Sequence, residues 1–253
     1  LAVGGWEVAT KPWGAAGIAA DFGAELLQPD YERFEPLGTA ACARIPVLGQ
    51  TGIRQMINGP IPITADGEPV IGLSPELDNF YLCCGFTSGI AASGGAGWVM
   101  ANWIVDGDPG LDLWPFDVRR FGAPHSVKEF MYARAVESYG RYYHIAWPAY
   151  EADAGRDARR SSLHATLKTA GAVYGNKFGW ERPNWFAPPG TAAAEVPSFD
   201  RGPAFDAIGT EHRAVRERVA LIDMSSFSKY EVRGAGALAL LQKLACNDLD
   251  RPV

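Results

Sequence analysis

One stretch, Cys84-Gly85-Phe86-Thr87-Ser88-Gly89-Ile90-Ala91-Ala92-Ser93-Gly94-Gly95-Ala96-Gly97, does most to limit what this chain can fold into. It follows the apolar run Asn79 to Cys84, which predicts a buried strand. It leads into an apolar segment reaching Val105, which predicts a helix starting at about Ala91 or Gly94. A strand, a glycine-rich turn and a helix in that order make an α/β unit. The first-turn N–H groups and the positive end of the helix dipole favour an electron-rich ligand edge by about 0.3 to 1 kcal/mol. Close packing of helix on sheet needs the same glycines, so the stretch alone leaves both readings open. It lacks the Gly-Lys-Ser/Thr ending of a phosphate loop, and no G-x-G-x-x-G fingerprint occurs in the chain.

Around this unit the chain reads as a succession of elements. Leu1 to Val8, with Gly4 and Gly5, suits a strand beside a close backbone approach. Tyr31, Phe34, Leu37, Ala41 and Ile45 recur at helical spacing, with Asp30 as the cap and Pro46 as the stop. Residues Ile53 to Leu73 predict a hairpin around Ala65-Asp66-Gly67-Glu68-Pro69. Asp106-Gly107-Asp108-Pro109-Gly110 is the clearest break. Helices are predicted at Val127 to Tyr139, at Leu163 to Ala170 behind a Ser161 cap, at Glu211 to Arg218 behind a Thr210 cap, and at Ala237 to Leu244. Lys229 to Val232 alternates like a strand, and Ala187 to Pro203 reads as an excursion rich in Pro, Gly, Ala and Ser. The aromatic cluster Lys177 to Phe186 suits the sealing of a junction or the lining of a cleft.

Other chemistries find little support. The four histidines, His125, His144, His164 and His212, are far apart and none pairs with cysteine or carboxylate at a ligand spacing, so no metal site is expected. Cys42, Cys83, Cys84 and Cys246 show no C-x-x-C spacing; Cys83 and Cys84 read as small fillers of a buried strand, in a reducing compartment. Gly234-Ala235-Gly236-Ala237-Leu238-Ala239 needs only to be a tight strand-to-helix turn. A net charge of -6 provides no footprint for nucleic acid or an anionic membrane surface, and no apolar run reaches spanning length. A chain running from Leu1 to Arg251-Pro252-Val253 reads as an internal piece of a longer protein.

Several motifs, in order, carry a resemblance: Gly4-Gly5-Trp6-Glu7, Phe34-Glu35-Pro36-Leu37, Asn58-Gly59-Pro60, Thr64-Ala65-Asp66-Gly67, the loop Gly85 to Gly97, Leu113-Trp114-Pro115, Arg119-Arg120-Phe121, Gly171-Ala172-Val173-Tyr174-Gly175 and Gly179 to Phe186. Together the series resembles the dimethylglycine and sarcosine dehydrogenase/oxidase family. Glu211 to Arg216 and Leu221 to Lys229 resemble the opening of the folate-binding aminomethyltransferase domain fused to those flavoenzymes. The loop departs from the family in having one small residue fewer between the serine and the following Gly-Ile.

The resemblance implies an α+β or α/β multidomain fold. Residues 1–106 would form the C-terminal part of an FAD domain of the D-amino-acid-oxidase type, 107–175 a middle connecting domain, and 176–253 the start of the folate-binding domain. It also implies that Thr87, Ser88, Gly89 and Ile90 lie beside the isoalloxazine ring of FAD. The implied reaction takes hydride from the N-methyl group of dimethylglycine or sarcosine to flavin N5. Tetrahydrofolate captures the resulting iminium carbon, and the electrons pass to oxygen or an electron-transfer flavoprotein, in a bacterial cytoplasm or the mitochondrial matrix. The family's catalytic residues fall outside these residues, so 253 residues alone are expected to bind FAD poorly and not to turn over. Two alternatives stand: a folate-binding or structural module with an inactive flavin half, and a related oxidoreductase for another amine.

Overall fold

The computed structural model describes residues 13–23, 25–145, 147–148 and 150–251, so the strand expected at Leu1 to Val8 lies outside the described residues. Helix α1, Tyr31–Arg44, begins where Asp30 accepts the Arg33 N–H at 3.0 Å. It ends at Ile45, the residue that Pro46 holds out of the helical region.

The turn expected at Ala65 to Pro69 forms, but the hairpin around it does not. Thr64 donates its hydroxyl to Asp66 Oδ1 at 2.9 Å and to the Glu68 carbonyl at 2.7 Å, closing the turn with side chains. The segment before it stays irregular, and Pro60 and Pro62 bring no N–H groups to a ladder there. Strand β1, Val70–Leu73, instead pairs forward with β2, Tyr81–Cys84, antiparallel, with Val70 opposite Cys84 and Leu73 opposite Tyr81. Ser74 closes that connection by accepting the Glu76 and Leu77 N–H groups. Strand β2 is shorter and less covered than expected. Cys83 and Cys84 are exposed rather than buried fillers, because α2 packs beside Ile71 on β1 and leaves their side chains uncovered.

Helix α2, Gly89–Asp106, starts earlier than the glycines predicted. Ala96 and Met100 pack with Ile71, flanked by Tyr81, Phe86, Leu113 and Phe116, and this burial outweighs the helix cost of Gly94, Gly95 and Gly97. It stops at Gly107, left-handed at φ 77°, whose N–H returns to the Trp103 carbonyl. Three short 3₁₀ turns between Trp114 and Ser126 then lead to α3, Lys128–Arg141.

Helix α4, His164–Thr169, follows Ser161, whose hydroxyl oxygen accepts the Leu163 N–H at 3.2 Å and whose proton goes to Asp223. The cluster Lys177 to Phe186 is a hairpin arm, not only a seal. Strand β3, Ala172–Lys177, pairs antiparallel with β4, Trp180–Phe186, around Phe178 (φ 50°) and Gly179 (φ 79°), the two positive angles of a type I′ turn. Trp185, 1% exposed, packs with Val173 and with Ala207 of α5, Ala204–Glu217, forming a second small core.

Helix α5 starts seven residues before the expected Glu211, so Thr210 is inside it and not its cap: the Thr210 hydroxyl donates to the Asp206 carbonyl at 3.0 Å. Pro203, φ −61°, stands directly before its first turn. Glu211 reaches from α5 to accept the Phe186 N–H at 2.9 Å. Lys229 to Val232 joins no sheet among the described residues; no neighbouring strand offers it a ladder, and Tyr230 is exposed. Helix α6, Ala237–Leu244, forms as expected.

Candidate functional site

Thr87, Ser88, Gly89 and Ile90 meet at the start of α2, directly after β2. Gly85, φ 74°, makes the turn possible: a Cβ there would sit 2.8 Å from the Thr64 methyl. A side chain at position 85 would press on the Thr64 side chain, and the positive φ independently favours glycine there. Thr87 Oγ1 is buried and has no hydrogen-bond partner among the described residues. Ser88 stands at the N-cap but makes no capping bond to the helix; its hydroxyl shares a 3.2 Å hydrogen bond with the Tyr142 hydroxyl instead. Ile90 projects outward, 96% exposed, and Gly94, Gly95 and Gly97 have open space where a Cβ would lie.

No charged residue falls between Asp78 and Asp106, so the apolar, uncapped helix start presents N–H donors without competing side-chain charge. A flat, weakly charged ring with an electron-rich edge fits these residues. The orphaned Thr87 hydroxyl is a polar atom that such a ring would satisfy. The loop residues named from sequence thus lie together, on a helix terminus with an open face.

Sequence reading did not foresee the second feature, a cleft of about 690 Å³ beside Tyr142, lined by Asp66, Arg120, His125, Arg134, Glu137 and Arg141 among others. Arg120, 9% exposed at its side chain, grips Asp66 through Nε at 2.6 Å and Nη2 at 3.1 Å. It also donates to the carbonyls of Glu68, Phe116 and Asp117. Burial would raise the Asp66 carboxyl, but the Arg120 guanidinium holds it below the usual carboxylate range. Burial pushes the His125 ring below the ordinary histidine value, with Gly122 hydrogen-bonded at its Nδ1 and Phe121 and Phe130 on either side. Glu137, although partly buried, is held low by the Tyr150 hydroxyl and by the Asp153 and Ala154 N–H groups. Burial and that carboxylate push the Tyr150 phenol up. His144 also lines the cleft, whereas Cys42, Cys246, His164 and His212 do not. The signals that existed were Asp66-Gly67 and Arg119-Arg120-Phe121; their pairing across 54 residues was invisible.

These groups sit in a chain whose segments match known families in order. Residues 8–103 match FAD dependent oxidoreductase, 106–161 the FAD dependent oxidoreductase central domain, and 163–253 the GCVT N-terminal domain. In that order the matched segments are those of an FAD-dependent oxidoreductase joined to an aminomethyltransferase-like domain. Among relatives, it is 37% identical over 251 residues to a 4-methylaminobutanoate oxidase (formaldehyde-forming) of Paenarthrobacter nicotinovorans, covering 99% of this chain and 30% of that protein. It is 36% identical over 256 residues to the mitochondrial pyruvate dehydrogenase phosphatase regulatory subunit of Mus musculus, covering 99% and 29%. It is 36% identical over 236 residues to the mitochondrial dimethylglycine dehydrogenase of Mus musculus, covering 93% and 27%. The chain therefore spans less than a third of the length of these relatives. Among the described residues, no helix is long and apolar enough to cross a membrane.

Proposed function

We propose that this chain is part of an FAD-dependent oxidoreductase that demethylates N-methyl amino acids, dimethylglycine or sarcosine foremost, and passes the one-carbon unit to tetrahydrofolate. The observation that carries the reading is the start of α2: an uncapped terminus in an uncharged stretch, preceded by Thr87, whose buried hydroxyl has no partner among the described residues. Bound FAD would supply hydride acceptance from the N-methyl carbon. The residues of this chain would hold its electron-rich edge: the N–H groups of Gly89 and Ile90 as donors, Thr87 as the polar contact, and Ser88 beside them. The aminomethyltransferase-like segment would hold tetrahydrofolate, and oxygen or an electron-transfer flavoprotein would take the electrons. A bacterial cytoplasm or the mitochondrial matrix fits relatives of both origins.

The test uses the complete gene product. Flavin absorbance near 450 nm, bleached by dimethylglycine, sarcosine or 4-methylaminobutanoate, supports the reading, and a tetrahydrofolate-dependent fall in released formaldehyde supports the transfer. A second reading has its own support, the similarity to a phosphatase regulatory subunit. A protein that takes up FAD but is bleached by none of the three amines would favour that non-catalytic role.

A further inference from the structure

Resting on the FAD reading above, we infer that Tyr142, from the end of α3, is a positioning residue that keeps the start of α2 open to the cofactor. Serine at an N-cap ordinarily turns its oxygen onto an N–H of the first helical turn. Ser88 does not; its hydroxyl lies 3.2 Å from the Tyr142 hydroxyl and makes no bond to the helix. Tyr142 is held in place by its own backbone, whose N–H donates to the Tyr139 carbonyl at 3.1 Å as α3 closes. Its ring meets Tyr143 edge-on at 5.2 Å.

The partner thus comes from 54 residues away, on a different segment, and engages the one side chain placed to neutralise the α2 terminus. With the Ser88 hydroxyl turned aside, the first-turn N–H groups remain for a ligand, and the hydroxyl of Thr87, the preceding residue, has no hydrogen-bond partner among the described residues. Without the Tyr142 hydroxyl, Ser88 rotates onto the helix, occupies one donor, and blunts the field that favours the anionic reduced flavin.

The FAD-loaded full-length protein tests this with Tyr142→Phe, Ser88→Ala and the double variant, measuring FAD affinity by flavin fluorescence and the midpoint potential by spectroelectrochemistry. Tyr142→Phe is expected to lower the ratio of reduced to oxidised flavin affinity about two- to fivefold, the scale of one terminus interaction, so the potential becomes more negative. Ser88→Ala, which has no hydroxyl to cap with, should keep a potential at or above wild type, and adding Tyr142→Phe to it should change nothing further. A wild-type potential in Tyr142→Phe overturns the inference, as does an equal shift of the potential in the Ser88→Ala background. A lowered potential in Ser88→Ala overturns it too, and that arm stands even if Tyr142→Phe does not fold. Failure of the wild-type protein to take up FAD refutes the functional reading, which is a distinct result.

Discussion

Removing the Arg120 guanidinium should loosen the joint between the Thr64 turn and the segment that follows α2. The side chain makes two contacts to Asp66, at 2.6 and 3.1 Å, and three to the carbonyls of Glu68, Phe116 and Asp117, at 2.8, 2.9 and 3.2 Å. It also stacks over Phe121 at 4.1 Å. Breaking a buried pair costs about 3 to 5 kcal/mol. Because the Asp66 side chain is 40% exposed while that of Arg120 is only 9% exposed, water recovers part of the loss on the acidic side. We therefore expect Arg120→Ala to destabilise by about 2 to 4 kcal/mol, between the buried-pair and surface-pair limits. Arg120→Lys should recover less than half of that, since an ammonium cannot reach a carboxylate and three carbonyls in one plane. Urea unfolding of the single variants and of Arg120→Ala/Asp66→Asn gives the coupling, expected at about 1 to 2 kcal/mol.

The pH dependence carries its own sign. The folded Asp66 carboxyl is held below its unfolded value of about 3.9. Its contribution is therefore fully present above that value and is lost as pH falls through the lower folded one. The gap between wild type and Arg120→Ala should narrow as pH drops below about 4. Additive single-variant effects, or a gap unchanged down to pH 2, would refute the reasoning.

Three further outcomes concern other parts of the fold. Gly171, φ 93°, would place a Cβ 2.6 Å from the Ala187 carbonyl oxygen, whereas Gly190, φ 87°, would meet nothing. Gly171→Ala should cost about 3 kcal/mol or more and Gly190→Ala only about 1 to 2 kcal/mol, read by thermal unfolding; equal losses would contradict the clash. Thr87→Val should leave the FAD-free protein as stable as wild type or up to about 1 kcal/mol better, since it deletes an unpaired buried hydroxyl. The same change should weaken FAD binding in titrations, and unchanged binding would remove Thr87 from the site. Glu181→Gln should lose about 2 to 4 kcal/mol in chemical denaturation at pH 7, because the Glu181 side chain is 3% exposed and holds Arg156 and the Asp157 N–H. A neutral result there would show that the Arg156 pair adds nothing beyond packing.

Much of the architecture was legible where chemistry is local. Asp30 and Pro46 bound α1 because a cap and a proline act within a few residues, and Asp106-Gly107 ends α2 for the same reason. The glycine-rich stretch marked a turn between a strand and a helix, and the ordered motifs pointed to the flavoenzyme family whose domains the matched segments give in order. The true beginning of α2 was hidden, since Gly94 to Gly97 read as loop by propensity while Ala96 and Met100 gain burial on Ile71.

What the sequence by itself determined, then, is the set of punctuation marks and the run of family motifs, because caps, prolines, glycines and periodicity act at short range. Tertiary structure alone decided the partners. It turned β1 forward to β2, withheld a ladder from Lys229 to Val232, joined Arg120 to Asp66, and brought Tyr142 to Ser88. Each of those pairings depends on which distant surface arrives, and no local pattern encodes that arrival.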